Sequence, residues 1–385
     1  MAMSERVARL RQESLDAVPR ISTERAELMT AFYQQNTGLM SVPMRRALAF
    51  AYLMEHKTIC INEGELIVGE KGPAPKATPT YPELCCHSLQ DLDILNSRPK
   101  IPFVVSPEAR RVYKDEIIPF WQGKTMRELV FSQMTPEWLA AYGAGLFTEF
   151  MEQRSPGHTV LDDKIYHRGM LDFVGEIDQS LAGLDDLADP AAYHKREQLK
   201  AMRVCALALV RFAERYAERA RELAEVEADV QRKAELQRIA EVCTRVPAHA
   251  PRDFWEALQY VVLTIAIMSI ESNGVSVAPG RVDQYLYPYY QRDIEQGRLT
   301  RDQAVELCAS FLINGNLYCI LRPWQQQRWQ TGYKGGFGNP TLGGQMPDDI
   351  EQAAIGRAID GRMHRDIRWL ASTGPQSSEI IACSL

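Results

Sequence analysis

The sequence lacks a basic face. Its 44 lysines and arginines are outnumbered by 50 aspartates and glutamates, for a net charge of −6. That balance excludes the electrostatic footprint of a nucleic-acid binder and any attraction to anionic lipid. Long apolar runs are also missing: Tyr260 to Ile270 falls short of the roughly 20 residues a membrane helix needs. The N-terminus, Met1-Ala-Met-Ser-Glu-Arg6, is polar and charged, without the apolar core of a secretory signal. Eight cysteines scatter through apolar or helical contexts at 60, 85, 86, 205, 243, 308, 319 and 383. Free buried thiols are expected there rather than a disulfide framework. No cysteine cluster has zinc-ligand spacing, so no metal site is expected. Internal repeats and low-complexity tracts are absent as well. These absences point to a cytoplasmic protein that engages neither nucleic acid nor membrane.

What is present is ordinary globular composition, 45% hydrophobic and 24% charged, enough for one large core or two modest domains. Residues 4 to 58 read as helices, with N-cap chemistry at Ser22-Thr23-Glu24-Arg25 and Pro43 opening a further helix at its first turn. Gly64-Glu-Leu-Ile-Val-Gly69 is a short apolar run between glycines, which predicts a buried strand. Prolines 73, 75, 79 and 82 predict an ordered or semi-extended loop over 71–84. Helical spacing returns over 108–153, with breaks at Pro119 and Pro136.

The strongest helical signal spans 190–245. From Lys195 to Val246 there is neither proline nor glycine, and Met202, Cys205, Leu209, Phe212 and Tyr216 form an apolar stripe. The length predicts a helical hairpin turning near Val226 to Asp229. Phe254 to Ile270 reads as a buried, nearly all-apolar helix, and Thr300 as the cap of another.

Four constellations carry chemistry-bearing residues. Gly157-His158-Thr159 follows Pro156, where a helix must end, and Asp162 and Asp163 come soon after. The simpler account is a capping turn, with Asp162 or Asp163 capping a helix from Lys164 and His158 structural. Ser272, Asn273 and Ser276 precede Pro279-Gly280-Arg281; they suit a polar substrate, with an Arg281–Asp283 ion pair in support, or a plain hydrogen-bonded turn. Cys85-Cys86-His87 suggests a thiol site, since an adjacent histidine lowers a thiol pKa, but reads more simply as a packed loop. Gly335-Gly-Phe-Gly338 with Gly343-Gly344 matches neither phosphate-binding fingerprint and reads as close backbone packing.

At these residues the sequence resembles the glycyl radical enzymes, relatives of pyruvate formate-lyase, in the branch containing hydroxyproline, glycerol and diol dehydratases and choline trimethylamine-lyase. The resemblance runs from about residue 5 to 345. It rests on Gly64-Glu-Leu-Ile-Val-Gly-Glu-Lys-Gly72, Thr80-Tyr-Pro-Glu-Leu-Cys-Cys-His87, Glu116-Ile-Ile-Pro-Phe-Trp121 and Met134-Thr-Pro-Glu-Trp138. Pro156-Gly-His-Thr159, Pro247-Ala-His249, Glu271-Ser-Asn-Gly274 and Pro279-Gly-Arg-Val-Asp-Gln-Tyr285 add to it. The resemblance implies a helix-rich α/β fold, the N-terminal part of a ten-stranded α/β barrel of the pyruvate formate-lyase type. It implies a small polar substrate contacted by His158, Ser276 and Asp162. It also implies a radical S-adenosylmethionine activating enzyme as partner, and a homodimer.

The sequence departs from that family in places. Its members carry a cysteine in Gly-Cys-x-Glu and a radical-bearing glycine in Arg-Val-x-Gly, and neither pattern occurs here. Val275 stands where many relatives have histidine. After Gly344 the resemblance ceases, as a frameshift would produce, so 1–345 is expected as an incomplete barrel and 346–385 as an aberrant tail. The resulting expectation is a glycyl radical lyase, a dehydratase or carbon–heteroatom lyase, truncated and inactive alone, its glycyl radical lying in a missing C-terminal half. No catalytic residue is then assigned within this chain. An open sheet edge would make such a half-barrel prone to aggregate. The second reading is a non-catalytic half-size relative that binds a small molecule or heterodimerises.

Overall fold

A computed structural model describes residues 4–36, 38, 40–99, 102–147, 163–185, 187–272 and 279–316. It consists of fifteen α-helices and two very short strands among those residues. In chain order they are α1 (Glu5–Asp16), β1 (Arg20–Ser22), α2 (Glu24–Gln35), α3 (Val42–His56), β2 (Ala77–Pro79), α4 (Leu89–Ser97) and α5 (Pro107–Val112). There follow α6 (Ile118–Trp121), α7 (Met126–Ser132), α8 (Pro136–Gly143), α9 (Lys164–His167), α10 (Met170–Ala182) and α11 (Ala192–Val226). The last are α12 (Val230–Arg245), α13 (Phe254–Ser272), α14 (Val282–Glu295) and α15 (Arg301–Asn316).

The hairpin expected near Val226 to Asp229 is present: α11 ends at Val226, and Asp229 caps α12 by accepting from the Arg232 amide at 2.7 Å. The apolar stripe of α11 differs from its sequence reading. Phe212 and Tyr216 are fully buried, but Met202 is exposed, and alanines 201, 208, 213, 217, 220 and 224 supply the rest of the face. Small residues let α3 and α12 pack closely against α11. Ser41 caps α3, with Pro43 in its first turn as expected. Thr300 caps α15 through the Gln303 amide at 3.2 Å. At α2 the cap is Thr23, without a side-chain bond, while Ser22 belongs to β1. Pro119 does not break the helix over 107–121; a π-helical turn at Tyr113–Ile117 feeds directly into α6.

The main core lies between α2, α3, α11, α13 and the 103–121 helices, with Met29, Leu53, Phe103, Tyr113, Phe212 and Leu263 at its heart. A second core joins α9, α10, α13, α14 and α15 around Val261, Ile265 and Ala266. Helix α13 is common to both. An 18-residue window of it, Phe254–Glu271, is long and apolar enough to cross a membrane, but 83% of it is buried within the protein. It is the axis of the core.

Sheet is scarce among the described residues: β1 and β2 pair in parallel, Ile21 opposite Thr78, and Arg20 bridges to Val104. The fold is helix-rich, as expected, and the described residues show no barrel. The strand predicted at Gly64–Gly69 is a correction. Leu66, Ile67 and Val68 are buried, yet no strand partners them. Side chains take the ladder's place. Gln259 accepts from the Val68 amide at 2.9 Å and donates to its carbonyl at 2.6 Å, Trp255 donates to Leu66 O at 2.9 Å, and Arg232 donates to Glu65 O at 2.7 Å. Their demand for partners is met without a sheet.

Candidate functional site

Helix α13 ends in a knot of charge. A helix C-terminus leaves its last carbonyls without partners and carries partial negative charge, so it attracts cations. Arg25 from α2 donates to Ile270 O at 2.7 Å and to Glu271 O at 3.1 Å. Arg46 from α3 donates to Glu271 O at 3.3 Å and to the Glu271 carboxylate at 2.5 Å. Tyr81 donates to Ser269 O at 2.6 Å, and the Arg25 guanidinium lies 4.0 Å from the centre of its ring. Glu83 completes the group, taking both Arg25 nitrogens at 2.5 and 3.1 Å in a bidentate pair.

The electrostatics follow from burial. Burial works to raise the Glu83 carboxyl, but the charge and hydrogen bonds of Arg25 outweigh it, and the pKa falls below the ordinary range. At Glu271 burial wins over Arg46 and Arg25, so its carboxyl is shifted up. Its second oxygen, Oε2, is buried without a hydrogen-bond partner.

This knot anchors the backbone that leads, within five residues, to Ser276. Ser276 itself, with Asn273, lies outside the described residues, as do His158 and Asp162. Their flanks are described, and they meet. Helix α9, which follows Asp162, packs on α14, which follows Ser276: Tyr166 lies 5.1 Å from Tyr285, and Tyr289 donates to Tyr166 O. Asp163 caps α9 without a side-chain bond, and the described ion pairs do not join Arg281 to Asp283, contrary to the support expected there. The Pro247-Ala-His249 turn abuts the same region, with Pro247 O and Ala248 O accepting from the Met170 and Leu171 amides at 2.7 and 3.1 Å. A Cβ on Gly169 would sit 2.2 Å from Ala248 O, so only glycine permits that approach.

Cys85, Cys86 and His87 form a packed loop. Burial, with Cys85 beside it, pushes the Cys86 thiol up to about 12, and burial pushes His87 down to about 4. Both shifts oppose the thiolate that nucleophilic chemistry needs. Among the described residues, no three His, Cys, Asp or Glu side chains are placed to hold a metal. The glycines at 335–344 and the tail at 346–385 lie outside the described residues.

A second buried charged group contrasts with the first. Lys57, Glu65 and Glu70 are all buried, and none has an ion-pair partner among the described bridges. Lys57 Nζ donates to the carbonyls of Thr58 and Glu70 at 3.0 and 3.1 Å, and the Asn62 amide bridges Glu65 and Glu70 at 2.9 and 3.4 Å. Burial, then the neighbouring Glu65, pushes Glu70 up to about 8; burial pushes Lys57 down to about 8.

Sequence reading singled out the Glu271 and Tyr81–Glu83 motifs but missed Arg25 and Arg46. Both sit on amphipathic helices and give no local sign of pairing with residues far along the chain.

The comparisons with known proteins agree on the class. The family model described as pyruvate formate lyase-like matches residues 3–353, and the chain belongs to that family, the glycyl radical enzymes. It is 48% identical over 313 residues to trans-4-hydroxy-L-proline dehydratase of Clostridioides difficile, covering 81% of this chain and 40% of that protein. The crystal structure of hydroxyproline dehydratase from the same organism, with trans-4-hydroxy-L-proline bound, superposes with a TM-score of 0.88 at 43% identity. That match covers 94% of this chain and 47% of that one. A glycyl radical enzyme from Archaeoglobus fulgidus matches with a TM-score of 0.80 at 28% identity, over 93% of this chain and 46% of its own. The chain thus spans less than half the length of these relatives.

Proposed function

We propose that this chain supplies the helical shell and part of the substrate pocket of a glycyl radical dehydratase acting on a small polar metabolite. The 48% identity to hydroxyproline dehydratase across four fifths of the chain carries this reading. It makes a hydroxylated cyclic amino acid the first substrate to test. On this reading His158, Asp162 and Ser276 contact the substrate. The Arg25–Glu83 and Arg46–Glu271 pairs fix the end of α13 from which the Ser276 segment departs. Holding a pocket segment rigid is worth much in catalysis, because small misplacements of substrate cost large factors in rate.

The glycyl radical, and the thiyl it generates to abstract a substrate hydrogen in this family, are supplied from outside these 385 residues, by further sequence or a second chain. A radical S-adenosylmethionine enzyme installs the glycyl radical, and the assembled enzyme is a cytoplasmic homodimer.

The test has two arms. Ligand-detected NMR with trans-4-hydroxy-L-proline is expected to show binding by this chain, weakened about tenfold in His158→Ala and Ser276→Ala, the loss typical of one buried hydrogen-bond partner. The chain joined to the C-terminal portion of the C. difficile relative, activated under anoxia, is expected to give a glycyl radical signal and consume the substrate. Binding unaffected by both substitutions, with no turnover in the fusion, overturns the reading.

A further inference from the structure

Between α1, the 62–75 loop and α15 lies a cavity of about 70 Å³, away from the end of α13. Leu10, Ile67, Pro75 and Ile313 give it apolar walls; Glu65 and Asn314 bring polar groups to it. A space of that size holds more than one water molecule.

Asn314 is buried, and neither its amide nitrogen nor its oxygen has a hydrogen-bond partner. A carboxamide left so carries the full desolvation cost of donor and acceptor alike. Such orphaned groups are rare in native proteins and call for a partner. Glu65 is buried beside the cavity, held by the Asn62 amide and side chain at 2.8 and 2.9 Å; the cation nearest its carboxyl, Arg232, forms its ion pair with Glu235 at 3.2 Å. The nearby arginines are engaged elsewhere: Arg6 with Glu235 and Glu306, Arg9 with Glu63 and Glu13.

We propose that this cavity binds a small primary ammonium ion carrying a short alkyl chain, with Glu65 as its charge partner and Asn314 as its hydrogen-bond partner. Water alone would satisfy Asn314 but would leave the Glu65 carboxyl without an ion pair and the apolar walls without contact. An anion is excluded by Glu65 and Glu13. Among the described residues no three His, Cys, Asp or Glu side chains are placed to hold a metal ion there. An alkylammonium brings charge to Glu65, an N–H to the Asn314 oxygen and methylenes to Leu10 and Ile313, and a water beside it takes the Asn314 N–H.

Calorimetric titration of the full chain with n-propylammonium chloride tests this site independently of any turnover. Saturable binding is expected, weakened about tenfold or more in Glu65→Gln and in Asn314→Leu, as loss of a charge-assisted bond entails. Tetramethylammonium, which has no N–H, should bind at least about tenfold more weakly than propylammonium. Should Asn314→Leu fail to fold, Asn314→Asp serves instead, and its added carboxylate should tighten binding severalfold. No saturable heat with the unaltered chain overturns the proposal, as does equal affinity for the two cations or affinity unchanged in the variants.

Discussion

Two buried charge clusters lie within one helical shell, and they solve the same problem in opposite ways. At the end of α13 every charge has a partner: Arg25 meets Glu83, and Arg46 meets Glu271. Around Lys57, Glu65 and Glu70 the described ion pairs include none of the three, and backbone groups and the Asn62 amide supply their hydrogen bonds. The first cluster is therefore held by direct ion pairs. The second relieves its burial by shifting protons, with Glu70 and Lys57 both brought to about 8. Compensation by geometry locks a site in place, whereas compensation by protonation ties it to pH.

The largest expected effect comes from breaking the paired cluster. Arg25→Met leaves the buried Glu83 with Arg46 alone, at 3.9 Å, and takes the donors from Ile270 O and Glu271 O. A loss of about 3–5 kcal/mol is expected, measured by urea unfolding at neutral pH. A loss under about 1 kcal/mol would show that the pair is not desolvated as described.

Removing a charge from the other cluster should do the reverse. Glu70 binds its proton more tightly folded, at about 8, than unfolded, near 4.5. Its contribution to stability is thus greatest below about 4.5 and is lost as pH rises to about 8. Lys57, lowered from 10.5 to about 8, has the opposite slope above that range. Glu70→Gln should flatten the decline between pH 4.5 and 8 and leave the variant the more stable form at the upper end, read as Tm against pH. Glu83 behaves as the contrast: its pKa is depressed, so its contribution holds above the unfolded value and fades only as the solution turns acid. Identical pH profiles for Glu70→Gln and the unaltered chain would erase the distinction between the clusters.

The smallest effect calibrates both. Arg211 pairs with Glu55 at 2.9 Å on the surface, where both side chains are more than a third exposed. Glu55→Gln should change stability by no more than about 0.5 kcal/mol, and the little it does should vanish in high salt.

The helices were legible in the sequence because their signals are local: periodicity, a proline at the first turn of α3, a threonine cap on α15. The strand at Gly64–Gly69 was misread for a physical reason. An apolar run between glycines looks the same whether a neighbouring strand or a set of side chains will satisfy its backbone, and Gln259 lies 191 residues away. Arg25 was illegible for the same cause, its partners Glu83 and Ile270 being 58 and 245 residues distant. The family motifs drew attention to Glu271 and Tyr81 without revealing that two arginines would meet there. The tyrosine contact between α9 and α14 was equally hidden, since neither helix marks the other in sequence.

The way Gln259 holds Val68 has a consequence for handling this protein in solution. Exposed strand edges invite foreign strands because they offer unfilled amides and carbonyls in register. Here one glutamine caps both groups of Val68, and tryptophan and arginine cap the carbonyls before it, so the tract offers an incoming chain no template at those positions. This buried apolar loop is in effect insulated, and Gln259→Leu would strip that insulation while leaving the helix beneath it intact.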